Sequence, residues 1–383
     1  MFENVLFQNR AVETAAASMK LQSMAPAWLL HGPAFSSKLT FALEWARILT
    51  CREKIQGKWN CSCESCQSHR ILNNPNLILG GAKDFPGEIR VSSNALLEKQ
   101  DLPRRFHFYR TIKKVLKRMD NLFWDGSETK YKTLNGFAET ISEKLELIDP
   151  KIELLPLKQL EKIVDEISEN AMKLADGLPA SGLSVEASRE LASWARSTGA
   201  LGKRVIIIEG ADKLLDSARN SLLKILEEPP EDVYFFLLTR HRAAIISTIA
   251  SRLRPLEFAK RTPEQETKIQ SQVFGIETRT SLFYLLSGGG KDLREEAKNF
   301  WESANSSSPL PQRWNLTDGD FHPFLEELTE CLRSDLKTMG LEQWEHSRLI
   351  LDSIQAAVTG REVYHLELNT ILDSLFLKIR GSV

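Results

Sequence analysis

Hydrophobic positions along this chain fall into two kinds of pattern. In residues 1–80 and 180–258, short apolar runs alternate with amphipathic segments, as in a parallel α/β sheet. Strands are predicted at 28–30, 77–79, 205–208, 233–238 and 255–258. The runs "VIII" and "VYFFLL" are apolar almost without a break, as expected of strands covered on both faces. A doubly wound, five-stranded parallel sheet is the economical arrangement.

From about residue 83 to 182 the period becomes helical. Leu157, Leu160, Ile163, Val164 and Ile167 share one face, as do Ile112, Val115, Leu116 and Met119. Turn-rich "DFPGE" and "DGLPASG" flank this stretch, which reads as a helical insertion in the sheet domain. After Phe258 the strands cease. The polar run "SANSSSPLPQ" at 303–312 separates two predicted all-α domains, a small one at 259–302 and a C-terminal one at 313–383. In the last helix Leu368, Ile371, Leu372, Leu375, Phe376 and Ile379 form a wide apolar stripe, suited to a core or to another subunit.

Length and charge narrow the picture further. A chain of 383 residues exceeds one ordinary core. Lys+Arg number 50 and Asp+Glu 51, so no global field draws the chain to nucleic acid or membrane. The opening "MFENVLFQNRAVETAAASMK" lacks the basic start and apolar run of a secretory signal, and no apolar stretch approaches a membrane span, so a cytoplasmic protein is expected. Four of the five cysteines, Cys51, Cys61, Cys63 and Cys66, fall within sixteen residues. In a reducing compartment that density favours a metal site over disulfides, and four thiolates suit a tetrahedral structural Zn²⁺. The tight spacing of Cys61 and Cys63 makes His69 a possible substitute ligand. Cys331 stands apart and reads as a small buried hydrophobe.

The stretch "HGPAFSSKLT" is laid out as a phosphate loop between strand and helix, with Gly32 and Lys38 in place. However, Ser37 replaces the glycine that lets the backbone approach phosphate, and Leu39 replaces the hydroxyl that meets Mg²⁺. Thr40 cannot serve instead, because one further residue turns the side chain by about 100°. In "RVIIIEGAD", Glu209 is suited to hold a metal, but Gly210 stands where a catalytic carboxylate is needed. Hydrolysis is therefore not expected, nor is ATP binding.

The run "RVIIIEGADKLLDSARNSLLKILEEPPEDVYFFLLT", residues 204–239, resembles bacterial clamp-loader subunits of the AAA+ class. The match lies in Asn220, Leu222, Leu223, Lys224, Leu226, Glu227, Glu228, Pro229 and Pro230. Twelve residues after the next strand, "SRLRPLEF" resembles that family's Ser-Arg-Cys motif, with Ser251 and Arg252 matching and Leu253 in place of cysteine. The resemblance implies an AAA+ domain at 1–258 with a zinc module at 51–66, a lid at 259–302 and a helical collar at 313–383. It also implies a DNA polymerase III clamp loader as the setting. Within that family the motor subunits, gamma/tau, keep a complete loop, whereas a second kind of subunit has a degenerate one and lends its arginine to the neighbouring motor. This chain resembles the second kind. The implied partners are gamma/tau and delta in a hetero-oligomer, with the sliding clamp and primer-template DNA reached through the complex. Polymerisation itself would belong to other chains. The alternative is an ATP-binding, gamma/tau-like motor that relies on Lys38 and Glu209. Lys291 falls near the place of a sensor arginine.

One stretch lies outside this frame. "RRFHFYRTIKKVLKR", residues 104–118, carries seven Lys/Arg, among them Lys113, Lys114, Lys117 and Arg118, interleaved with Phe106, Phe108 and Tyr109. Such a pattern suits direct DNA contact, with basic residues tracking phosphate and aromatics stacking on bases. The plainer expectation is a solvated helix face with a few core aromatics.

Overall fold

A computed structural model describes residues 2–381 apart from 21–23, 54–56, 84, 125–128, 180–182, 198–201, 277–281, 287–292, 307–308, 310–313, 317–319, 337–343, 363 and 365. The chain divides into two compact units, Met1–Leu282 and Phe283–Val383.

In the first unit, α1 (Asn9–Lys20), β1 (Ala27–His31), α2 (Lys38–Leu49), α3 (Glu64–Arg70) and β2 (Leu77–Gly81) come first. The insertion follows as α4 (Pro86–Glu98), α5 (Leu102–Leu116), α6 (Thr129–Glu146) and α7 (Leu157–Gly177). The chain then returns through α8 (Val185–Arg196), β3 (Arg204–Glu209), α9 (Asp216–Glu227), β4 (Val233–Thr239), α10 (Ser247–Ala250) and β5 (Arg254–Glu257). All five strands pair in parallel, in the order β2-β3-β4-β1-β5. Each predicted strand lies within two residues of an observed one.

Side-chain alternation explains the two covered faces. Trp28, Leu30, Leu79, Ile207 and Phe236 face α1 and α2, where Phe41 and Trp45 fill the layer. Leu29, Ile78, Ile206, Phe235 and Leu237 face α8, α9 and α10. The insertion builds a separate core in which Phe108, Ile112, Ile141, Val164 and Ile167 are buried. After β5 come α11 (Pro263–Ile269), capped by Thr262 through a capping box, and a π turn, Gln270–Phe274.

The division into units differs from the boundaries drawn on composition. Residues 263–274 belong to the first unit. In the second, after α12 (Leu282–Leu286), the helices α13 (Arg294–Ala304), α14 (Phe321–Leu336), α15 (Trp344–Glu362) and α16 (Leu368–Gly381) contribute to one core. Phe300 of α13 packs edge-on against Phe324 and Phe376, so the polar run at 303–312 joins helices of a shared core. The stripe on α16 is interior to this unit. Cys331 is half-buried against the same core. Lys291 lies outside the described residues.

Candidate functional site

The carboxyl ends of β1, β3 and β4 gather the residues expected at a nucleotide site. Gly32 has φ +144°, and a Cβ there would lie 2.3 Å from the Phe258 carbonyl oxygen, so closeness to the segment after β5 requires glycine. Ser37, with φ 67°, takes the left-handed conformation just before α2. Its Oγ accepts a 2.6 Å hydrogen bond from Arg261, whose guanidinium also reaches the carbonyls of Phe35 and Leu6. The Lys38 ammonium turns back into its own loop. It donates to the Gly32 carbonyl at 2.7 Å, to the Pro33 carbonyl and to Ser36 Oγ at 3.1 Å. Burial, with Arg240 nearby, brings its pKa down to about 7. Leu39, on the first turn of α2, packs against the sheet core and offers no oxygen.

Glu209 ends β3 beside this loop. Its carboxylate accepts from Arg118, which is buried and comes from the turn after α5. Arg118 also donates to the Lys114 carbonyl at 2.9 Å and lies over the Phe85 ring at 5.2 Å. Gly210 has φ +63°, and a Cβ there would meet the Ala82 carbonyl oxygen at 2.9 Å. A carboxylate at 210 would therefore strain the turn as well as require the charge. Asp212 and Thr239, not singled out in the sequence, join at 2.6 Å across the ends of β3 and β4.

Arg252 stands away from these groups, just before β5. It is part-exposed, pairs with Glu227 of the "LEEPP" stretch and donates to the Thr248 carbonyl. Ser251 is exposed and bonds the same carbonyl at 3.0 Å. Leu253 is buried among Leu226, Ile245 and Ile249, so an apolar side chain serves the cysteine's position.

The four clustered cysteines converge. The Sγ atoms of Cys51, Cys61, Cys63 and Cys66 all lie within 4.8 Å of one another, with Cys51 to Cys61 at 3.7 Å and Cys51 to Cys63 at 4.0 Å. Four sulfurs about 2.3 Å from a tetrahedral zinc stand ~3.8 Å apart, so this donor set fits the ion. Cys63 also caps α3, accepting from the Cys66 amide at 3.4 Å. Buried Arg47 of α2 fastens the loop through the carbonyls of Gly57 and Lys58, both at 2.7 Å, and places a guanidinium nitrogen 3.9 Å from Cys66 Sγ. His69 stays outside the cluster. Its Nε2 lies 2.7 Å from Thr50 Oγ1, and burial pushes its pKa down to about 3.

The basic stretch 104–118 is neither a free phosphate-tracking surface nor a solvated face. None of its seven cations is exposed. Arg104 bonds Asp101, Arg105 the carbonyls of Asp149 and Ile152, and Arg110 those of His69 and Arg70. Lys113 lies over the Tyr109 ring, and Lys114 pairs with Glu88. Lys117 reaches the Leu77 carbonyl, and Arg118 reaches Glu209. Phe108 and Tyr109 are buried, while Phe106 packs edge-on against Trp59. Packing of α5 against α4 and α7, with the bonds above, turns these charges inward.

Sheet order, phosphate-loop layout and cysteine module together define a P-loop-type α/β subunit of the AAA+ kind. A family model described as DNA polymerase III, delta subunit, matches residues 7–100 and 137–262, and the chain belongs to that family. Among curated proteins it is similar to DNA polymerase III subunit delta′ of Escherichia coli K12, at 40% identity over 84 residues, covering 22% of this chain and 25% of that protein. It is also similar to subunit delta′ of Haemophilus influenzae, at 27% identity over 184 residues, covering 40% and 56%. The chain thus spans from a quarter to a little over half of these two relatives. A solved gamma subunit-related protein from Thermotoga maritima aligns at 17% identity and TM-score 0.30, covering 51% of this chain and 79% of that one. The one interval between the matched segments, residues 101–136, contains α5.

Proposed function

We propose that this chain is the delta′ stator of a DNA polymerase III clamp loader, a non-hydrolysing subunit that offers Arg252 to the ATP of an adjacent gamma/tau motor. The reading rests chiefly on one observation: the acid that would meet Mg²⁺, Glu209, is already paired with the chain's own buried Arg118. Supporting it, Lys38 is turned onto its own loop, Ser37 is held by Arg261, and Leu39 supplies no metal ligand. These residues do not fit a magnesium nucleotide. Arg252, in contrast, lies at the surface and is held by an exposed glutamate that a neighbour's phosphate can replace.

In this role the cysteine module would hold a structural zinc through Cys51, Cys61, Cys63 and Cys66. Zinc would stabilise the fold without entering any reaction. Delta, gamma/tau and, through the assembly, the sliding clamp and primed DNA are the proposed partners. DNA contact is assigned to a different surface from 104–118. A groove of about 790 Å³ between α8 and α9 is lined by Arg189, Arg196 and Lys224, all exposed, with Ser193, Asn220 and Ser221 among them.

The role is tested in a reconstituted loader. Arg252→Ala should leave the chain folded and the complex stoichiometric while lowering DNA-stimulated ATPase by about 10³-fold at the site it serves. Unchanged turnover would sink the finger assignment. Calorimetry tests the non-hydrolysing assignment separately: MgATP should give no heat with the isolated chain, and micromolar binding would favour the motor reading.

A further inference from the structure

The helix α5 is fastened at both ends to parts of the first unit that are far apart in sequence. At its carboxyl end Arg118 pairs with Glu209, and Lys117 reaches the Leu77 carbonyl at 3.4 Å. Just beyond, Phe123 presses on β2 so closely that a Cβ on Gly80 would stand 2.6 Å from its ring. At the amino end the His107 ring meets Phe274 edge-on at 5.0 Å. Beside it the Arg104 guanidinium covers Gly275, where a Cβ would lie 2.1 Å from Nη2. Gly275 has φ +72° and ends the π turn that carries Phe274, so this contact depends on a special backbone. Between the ends, Phe108, Ile112 and Val115 are buried in the insertion's core. The span from 104 to 118 is about 21 Å at helical rise.

We propose that α5 is a strut that locks the helix and π turn at 263–274 to the Glu209 end of the sheet. The insertion thereby supplies from within the chain a connection that needs no ligand. Arg261 makes a second tie, from the segment between β5 and α11 to Ser37 and Phe35. The chemistry is charge substitution: a guanidinium meets the carboxylate that would face a divalent cation, and another meets the loop that would face phosphate. A packed rod with both ends fixed passes displacement from one end to the other. The inference rests on the non-hydrolysing reading for its ligand independence alone.

The test is amide hydrogen exchange across the full chain, read by mass spectrometry with and without MgATP. Arg118→Met should raise exchange at 263–275 by at least about tenfold, although residue 118 touches none of those residues. Arg118→Lys should restore most of the protection, and Phe274→Ala should in turn loosen 117–124. If Arg118→Met does not fold, Glu209→Gln cuts the same tie and carries the same expectation. Faster exchange confined to 204–213 and 117–124, with 263–275 as in wild type, overturns the strut. Protection of 263–275 by MgATP in the wild type overturns the non-hydrolysing reading, while the strut is still decided by the Arg118 and Phe274 variants.

Discussion

At the scale of single residues, the loop before α2 is bonded by the protein's own cations, Lys38 and Arg261, and burial of Lys38 there disfavours its charged form. An ordinary lysine titrates near 10.5, whereas burial beside Arg240 brings this one to about 7. Between those values the unfolded chain holds a proton that the folded chain lacks, so the lysine's contribution to stability rises with pH from about 7 to 10.5. Below pH 7 the penalty is present in full. Solvent reaches the loop, which limits the slope to about 1 kcal/mol per pH unit or less. Wild type should therefore gain on Lys38→Met in urea unfolding between pH 7 and pH 9; a difference that stays flat across that range refutes the assignment. The serine, leucine and glycine at 37, 39 and 210 were legible in the sequence because each is read from its own identity alone. What Arg118 and Arg261 do was not legible, since their partners lie 91 and 224 positions away.

At the scale of elements, local periodicity carried the reading a long way. Four of the five strands stand where apolar runs predicted them because they are covered on both faces and leave continuous hydrophobic signatures, whereas β5, at the sheet edge, buries only Leu256. The stretch 104–118 shows the limit of that approach. Sequence displays its charges but not the carbonyls and carboxylates that meet most of them, and an inward-facing helix then resembles a nucleic-acid surface. The cysteine module sits between these cases: spacing pointed to a metal, and the fold brings all four sulfurs together while leaving His69 on Thr50. Purified chain should carry one zinc per molecule by elemental analysis. Chelation should lower unfolding stability by about 4 kcal/mol when free zinc had been a thousandfold above its Kd. Cys66→Ser, at the buried corner beside Arg47, should abolish stoichiometric zinc, whereas His69→Gln should retain it. Zinc lost from the His69 variant but kept by the cysteine variant would reverse the ligand assignment.

At the scale of the whole molecule, the nearly balanced charge constrains where DNA could be met. A formal net charge of −1 gives no long-range attraction to DNA, so any binding surface must be local. The inward-turned cations of α5 remove the strongest candidate in the sequence. The exposed cations between α8 and α9 remain, on two helices whose apolar faces fix them to the sheet through Leu191, Leu222 and Leu226. Contacts from Arg189, Arg196 and Lys224 to phosphate would release counterions, so binding by the assembled loader should weaken with salt. Replacing any one of them with Ala should reduce the slope of log affinity against log salt by about 1, nearly equally for unrelated DNA sequences. Because these side chains are exposed, thermal stability should stay within about 0.5 kcal/mol of wild type. The discriminating control is Lys114→Ala: it breaks a buried pair with Glu88 and should destabilise the chain while leaving the salt slope intact. A slope that responds to Lys114 but not to Lys224 would return the DNA surface to the insertion.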